Sequence, residues 1–136
     1  MLKWISFVGL VAFSITCQAQ NFTWNLADLA WTFRNSKNNT TYRATIPGTV
    51  HTDLVKNGLI ADPFYGSNEK EVQWVENETW VYETTINLQE KQANQESVSL
   101  LFEGLDTYAK VYLNDQLILE AANMFRRWEI PVKSIL

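Results

Sequence analysis

His51 is the lone histidine of the chain, set in the run Thr49-Val50-His51-Thr52-Asp53-Leu54. An imidazole exchanges a proton near neutral pH, but general-base work needs a nucleophile to activate. No Ser or Cys partner is evident, so His51 reads as a packed, hydrogen-bonded histidine. The carboxylates of interest are Glu76 and Glu78, which share a face if the segment is extended, and Asp106 in a turn. Cleavage of a glycosidic bond with retention needs two carboxyl groups about 5 Å apart, one as acid/base and one as nucleophile. Each of the three reads better as a solvated or loop-capping group. Trp74, Trp80, Arg126 and Trp128 are the side chains best fitted to touch a ligand, by ring stacking or bidentate hydrogen bonding. The competing reading for each is packing in the core or against another domain, and Trp80 falls on a face predicted to be buried.

The elements that position these residues follow from periodicity. Val98, Leu100 and Phe102 alternate with Ser97, Ser99 and Glu103, with Leu101 as the one break, and a second run puts Ala109, Val111 and Leu113 opposite Tyr108, Lys110 and Tyr112. Both are half-buried strands by pattern. Asn114-Asp115 suits a tight hairpin turn, from which the chain returns as Gln116 to Glu120. These three runs predict one antiparallel sheet, with Val98–Asn123 as the stretch around which the rest packs, and a sheet with one apolar face requires a second covering layer. Upstream, Leu29, Trp31 and Phe33 alternate as a strand, Tyr42 to Ile46 forms a short return, and Thr79 to Leu88 is a strand with Trp80, Tyr82, Ile86 and Leu88 on one face. The period changes between Pro47-Gly48 and Asn57-Gly58. With Thr49 as N-cap and Gly58 as the stop, it predicts a two-turn helix over Val50–Lys56. Gln89 to Glu96 is a polar surface connection. The expected fold class is therefore all-β, an antiparallel β-sandwich or jelly roll with one short helix.

Composition excludes several functions. With 46% hydrophobic and 19% charged residues, the 136-residue chain has the make-up of one globular domain. A formal net charge of −4, with no basic cluster beyond Arg126-Arg127, lacks the footprint that a phosphate backbone requires. One Cys and one His cannot supply a four-ligand zinc site. The start has the layout of a secretory signal peptide over residues 1–19: Met1-Leu2-Lys3 is positive, Trp4 to Ile15 is mostly apolar, and Cys17-Gln18-Ala19 places small side chains before a cut. This predicts an exported protein, periplasmic or secreted, or lysosomal in a eukaryotic host, with no membrane attachment after the cut. A lipoprotein acylated at Cys17 is the weaker reading, because Thr16 and Ser14 fit that signal less well. Residues 20–136 then form the folded domain.

Phe102-Glu103-Gly104-Leu105-Asp106-Thr107-Tyr108, Val111-Tyr112-Leu113-Asn114 and Asn123-Met124-Phe125 together resemble the N-terminal galactose-binding-like jelly roll of family 2 glycoside hydrolases. The strings Ile46-Pro47-Gly48-Thr49-Val50-His51-Thr52-Asp53-Leu54, Asp62-Pro63-Phe64-Tyr65-Gly66, Val72-Gln73-Trp74-Val75 and Trp80-Val81-Tyr82 are similar, within that family, to the opening domain of β-mannosidases. The resemblance implies a non-catalytic domain whose parent hydrolyses terminal non-reducing β-D-mannose residues with retention. Its two catalytic glutamates would lie on a downstream barrel, so that no catalytic residue falls in this chain and the chain alone is inactive. No cofactor and no metal-binding residue is expected in this chain; the resemblance further implies contact with β-mannosides through the barrel, and intramolecular contact with downstream domains, against which Trp74, Trp80, Arg126 and Trp128 would pack. Related domains continue with further strands, so the chain is expected to be a fragment that ends before its sandwich is complete. The alternatives are another family 2 hydrolase, such as a β-galactosidase or β-glucuronidase, and a stand-alone secreted carbohydrate-binding module.

Overall fold

The computed structural model describes residues 22–136, so the expected signal peptide, with Cys17, lies outside the described residues. The fold is mostly β. Strands β1 (Thr32–Asn35), β2 (Tyr42–Arg43) and β3 (Trp80–Glu83) form an antiparallel sheet in the order β2-β1-β3. Phe33 stands opposite Tyr42 on one side and Tyr82 on the other. Between β2 and β3 lie helix α1 (Val50–Lys56), helix α2 (Asn68–Glu71) and a 3-10 turn over Gln73–Asn77. After β3 come helix α3 (Glu90–Ala93) and strands β4 (Ser99–Phe102), β5 (Ala109–Leu113), β6 (Gln116–Ala121) and β7 (Trp128–Pro131).

Helix α1 begins and ends where its sequence directs. Thr49 accepts a hydrogen bond from Thr52 N at 3.3 Å, and the Thr52 hydroxyl accepts one from Thr49 N at 3.0 Å, a reciprocal capping box that satisfies free amides of the first turn. At the other end Gly58 takes φ 69°, Gly58 N donates to Val55 O and Leu59 N donates to Leu54 O, both at 2.9 Å. A left-handed residue is needed there, and glycine adopts it without a Cβ clash. The entry to the helix also constrains its residues: the Ile46–Pro47 peptide is cis, and a Cβ on Gly48 would come within 2.4 Å of Thr45 O.

The three runs after Val98 do not make the single sheet that their succession predicts. β5 and β6 form a hairpin whose turn residues Asn114 and Asp115 take φ 49° and 62°, both left-handed, as a tight two-residue turn requires. β4 instead pairs with β7, Leu100 facing Ile130 and Phe102 facing Trp128. The cause lies in the connection: Gly104 to Tyr108 is irregular, and Asp106 accepts from the amide and hydroxyl of Thr107, which turns the chain away before β5 starts. The predicted alternation holds within each strand. Leu100 and Phe102, then Ala109, Val111 and Leu113, are half-buried, while Leu101, Lys110 and Tyr112 are exposed.

Other boundaries shift for want of partners. The strand expected from Leu29 begins only at Thr32, after a 3-10 turn over Leu26–Asp28, and the strand expected over Thr79–Leu88 is regular only through Glu83, where the ladder to β1 ends. The return strand spans Tyr42–Arg43 alone. Two four-residue helices, α2 and α3, accompany the predicted one.

The packing centre also moves. The buried cluster is Phe33, Ala44, Leu54, Val72 and Val75, ringed by Trp31, Tyr42, Val50, Ile60, Trp80 and Tyr82, so it lies between the three-stranded sheet and α1 rather than in Val98–Asn123. Of that stretch only Leu119 and Ala121 are fully buried, because its strands are split between two separate pairings.

Candidate functional site

The four residues singled out for contact with a ligand or another domain fall into two pairs, Trp74 in the 3-10 turn with Trp80 in β3, and Arg126 in the loop before β7 with Trp128 in β7. Trp80, in β3, packs on Phe33 at 5.9 Å between ring centroids and donates its indole N–H to Val75 O at 3.0 Å. It is half-buried and packs against the core. Trp74 lies tilted against Trp80 at 6.0 Å and is 45% exposed, so its outer face remains open. In the other pair the Arg126 guanidinium sits 4.1 Å from the centre of the Trp128 ring, a cation–π contact, while Trp128 Nε1 is buried with no acceptor among the described residues.

The carboxylates separate as well. Glu78 accepts from Asn35 Nδ2 at 3.1 Å and from Lys37 Nζ at 2.8 Å, and the Lys37 hydrogen bond, then that from Asn35, holds its carboxyl below the usual range. Glu76 instead lines a hollow of about 450 Å³ together with His51, Glu69, Gln73 and Phe64. The two glutamates thus face different surroundings and do not form an acid/nucleophile pair. His51 is half-buried at the edge of that hollow, which Thr49 and Thr52 also line.

Asp53 is the carboxylate that composition and spacing did not single out. It is completely buried, with Oδ1 accepting from Thr45 N at 3.0 Å and Oδ2 accepting from the Tyr82 hydroxyl at 3.1 Å. This ties α1 to the cis-proline loop and to β3 at once. A signal was present, since Asp53 lies on the Val50/Leu54 side of the helix, and a carboxylate on an apolar stripe must find donors. Burial, then the neighbouring Asp53 charge and hydrogen bond, pushes the Tyr82 phenol well above its ordinary value.

That shift has a sign. The unfolded phenol releases its proton near pH 10.0 whereas the folded one retains it, so Tyr82 contributes stability that is fully present below that pH and is lost as pH rises above it. An ultraviolet titration is expected to show a late step, above the ordinary phenol range, that belongs to Tyr82. Tyr82→Phe should remove the late step, and its persistence in that variant would show the assignment to be wrong.

A second hollow, of about 350 Å³, lies between the loop entering α1 and the loop leaving β4, lined by Gly48, Thr49, Val50, Tyr82, Leu105, Asp106 and others. It is the place where the segments after β2, β4 and β6 converge on half-buried Tyr82, whose hydroxyl donates to Asp53 beneath. Among the described residues no group of three or more His, Cys, Asp or Glu is arranged to hold a metal ion, and no helix is long and apolar enough to cross a membrane.

Residues 31–136 match the family described as the glycosyl hydrolase 2 galactose-binding domain-like family. β-Mannosidase A of Emericella nidulans is 38% identical over 112 residues, covering 82% of this chain and 12% of that protein. The β-mannosidase of Rattus norvegicus is 31% identical over 119 residues, covering 88% of this chain and 13% of that protein. The crystal structure of the β-D-mannosidase from Dictyoglomus thermophilum superposes with a TM-score of 0.76 at 46% identity, over 78% of this chain and 13% of that one. The chain spans 12–14% of the length of the first curated relatives it matches.

Proposed function

The chain belongs to the glycosyl hydrolase 2 galactose-binding domain-like family, and from that premise we propose that it is the N-terminal, non-catalytic domain of a β-mannosidase. The complete enzyme would hydrolyse terminal non-reducing β-D-mannose residues with retention. The observation that carries this reading is that the similarity extends over most of the chain and that the relatives and the solved structure bearing it are β-mannosidases. In this reading the paired carboxyl groups that retention demands come from elsewhere in the parent, since Glu78 is bound to Asn35 and Lys37 and Asp53 is sealed in the interior. The role left to this domain is to support the catalytic part and to wall its pocket through intramolecular contacts. Export belongs to the same proposal, supported by the layout of Met1 to Ala19.

The test is to express the complete reading frame and compare nitrophenyl β-mannoside, β-galactoside and β-glucuronide. The mannoside should be cleaved at least about tenfold faster in kcat/KM, a difference of about 1.4 kcal/mol in transition-state binding, and the 136-residue chain alone should cleave none. A preference for the galactoside or glucuronide would assign a different family 2 hydrolase. N-terminal sequencing of the exported product should begin at Gln20, and a product beginning at an acylated Cys17 would replace the ordinary cut with a lipoprotein signal.

A further inference from the structure

We propose that Asn57-Gly58 is a conformation-gated deamidation site, closed in the folded domain and converted to aspartate or isoaspartate when the end of α1 opens. The site is independent of the hydrolytic activity proposed above. Asn57-Gly58 is the one Asn-Gly pair of the 136 residues. In such a pair the amide nitrogen of the second residue can attack the carboxamide carbon of the first, and glycine, having no Cβ, obstructs that approach least. The Gly58 amide gives its proton to solvent base as its nitrogen bonds to Asn57 Cγ; the bond from Cγ to Nδ2 breaks, and Nδ2 leaves as ammonia with a proton taken from water. Water then opens the resulting cyclic imide at either carbonyl, giving aspartate or its iso form. Water is the only co-reactant, and nothing is oxidised or reduced.

The fold holds both partners of this reaction apart. Gly58 N, the nucleophile, donates to Val55 O at 2.9 Å. The leaving group is held as well, with Asn57 Nδ2 donating to Arg43 O at 2.9 Å and to Asp53 O at 2.8 Å. Asn57 has ψ 5°, which sets Gly58 N over the amide nitrogen of Asn57 rather than over its side chain, so the imide ring closes only after ψ rotates. That rotation pulls Gly58 and Leu59 off the carbonyls of Val55 and Leu54 and undoes the end of the helix. The same hydrogen bonds make the change one-way. Arg43 O and Asp53 O are both acceptors and suit a carboxamide nitrogen, whereas a carboxylate there would face two carbonyl oxygens with nothing to donate. It would also place negative charge at the C-terminal end of α1, and the iso form lengthens the backbone at the cap by a methylene. Half-buried Asn57 ties α1 to β2, so a molecule that has reacted refolds with that junction weakened.

In the test, the complete enzyme is incubated in mildly alkaline buffer, either folded or unfolded in urea, then digested, and the peptide bearing Asn57 is followed by mass spectrometry with isoaspartate detection. Conversion should be at least about tenfold slower in the folded protein, because it tracks the fraction of molecules in which the helix end is open. Gly58→Ala should slow conversion in urea by about tenfold, since its Cβ hinders the attack where no fold is present to do so. In the folded Asn57→Asp variant, hydrogen exchange of the amides at residues 57–59 should rise at least about tenfold over wild type. Equal rates in buffer and in urea, or no conversion in urea, overturn the gated site. An unchanged rate for Gly58→Ala in urea overturns attack by the residue 58 amide, and unchanged exchange in Asn57→Asp overturns the weakened junction. The first two comparisons stand whether or not Asn57→Asp folds.

Discussion

Asp53→Ala is expected to destabilise the domain by about 2–5 kcal/mol, against a total stability of about 5–15 kcal/mol for a domain of ordinary size. The reason is what remains behind. Thr45 N and the Tyr82 hydroxyl both donate to Asp53 at hydrogen-bond distance in an interior without water access to the carboxylate, so truncation strands two donors rather than deleting one contact. Asp53→Asn keeps the shape and an acceptor for Thr45 N, and its amide can donate to the phenolic oxygen, so the loss should be nearer about 1–2 kcal/mol. Tyr82→Phe strands a carboxylate oxygen and should fall between the two. Urea denaturation reads all three, and the double variant Asp53→Ala/Tyr82→Phe should lose less than the two single losses added, because the stranded phenol is gone. An Asp53→Ala midpoint within about 0.5 kcal/mol of wild type would show the carboxylate to be dispensable.

That Asp53 escaped notice while its helix was located to the residue shows what a sequence carries here. Caps and turns are local chemistry: Thr49, Thr52 and Gly58 set α1, and Asn114-Asp115 set the β5–β6 hairpin, each through bonds or backbone angles within a few residues. Alternation likewise predicted which side chains of β4 and β5 turn inward. Pairing is not local. Whether β4 meets β5 or β7 depends on the path of the Gly104–Tyr108 connection, and nothing in the alternation of Val98 to Phe102 distinguishes the two. The lengths of β1 and β3 are limited in the same way by what each finds opposite it. For the site, residue type pointed to Trp74, Trp80, Arg126 and Trp128, yet indole and guanidinium groups serve packing as readily as ligands, and the structure pairs them with one another. Asp106 was legible as a turn carboxylate, but the hollow beside it exists only once three distant loops have met.

Phe33→Ala should cost about 3–5 kcal/mol, because the ring is the hub of the aromatic cluster and only 1% exposed. Its neighbours arrive on the same face from the strands that flank β1, Tyr42 at 5.9 Å from β2, and Tyr82 at 5.5 Å and Trp80 at 5.9 Å from β3. Removing the ring loses its own burial and opens a cavity whose walls are large, flat side chains that cannot close it by small rotations. Phe33→Leu fills part of the space and should lose about 1–3 kcal/mol, the remainder reflecting shape. Phe64→Ala is the control: that ring is 98% exposed, so the same chemical deletion should change stability by less than about 0.5 kcal/mol. Chemical denaturation of the three variants therefore separates burial from residue type. Equal losses at Phe33 and Phe64 would contradict the packing described for this sheet. A large loss confined to Phe33, together with a collapse of the near-ultraviolet circular dichroism of Trp80, Tyr42 and Tyr82, would place the stability of the domain in the β2-β1-β3 sheet and α1. The hollow bearing Asp106 would then rest on that sheet from one side, through Tyr82.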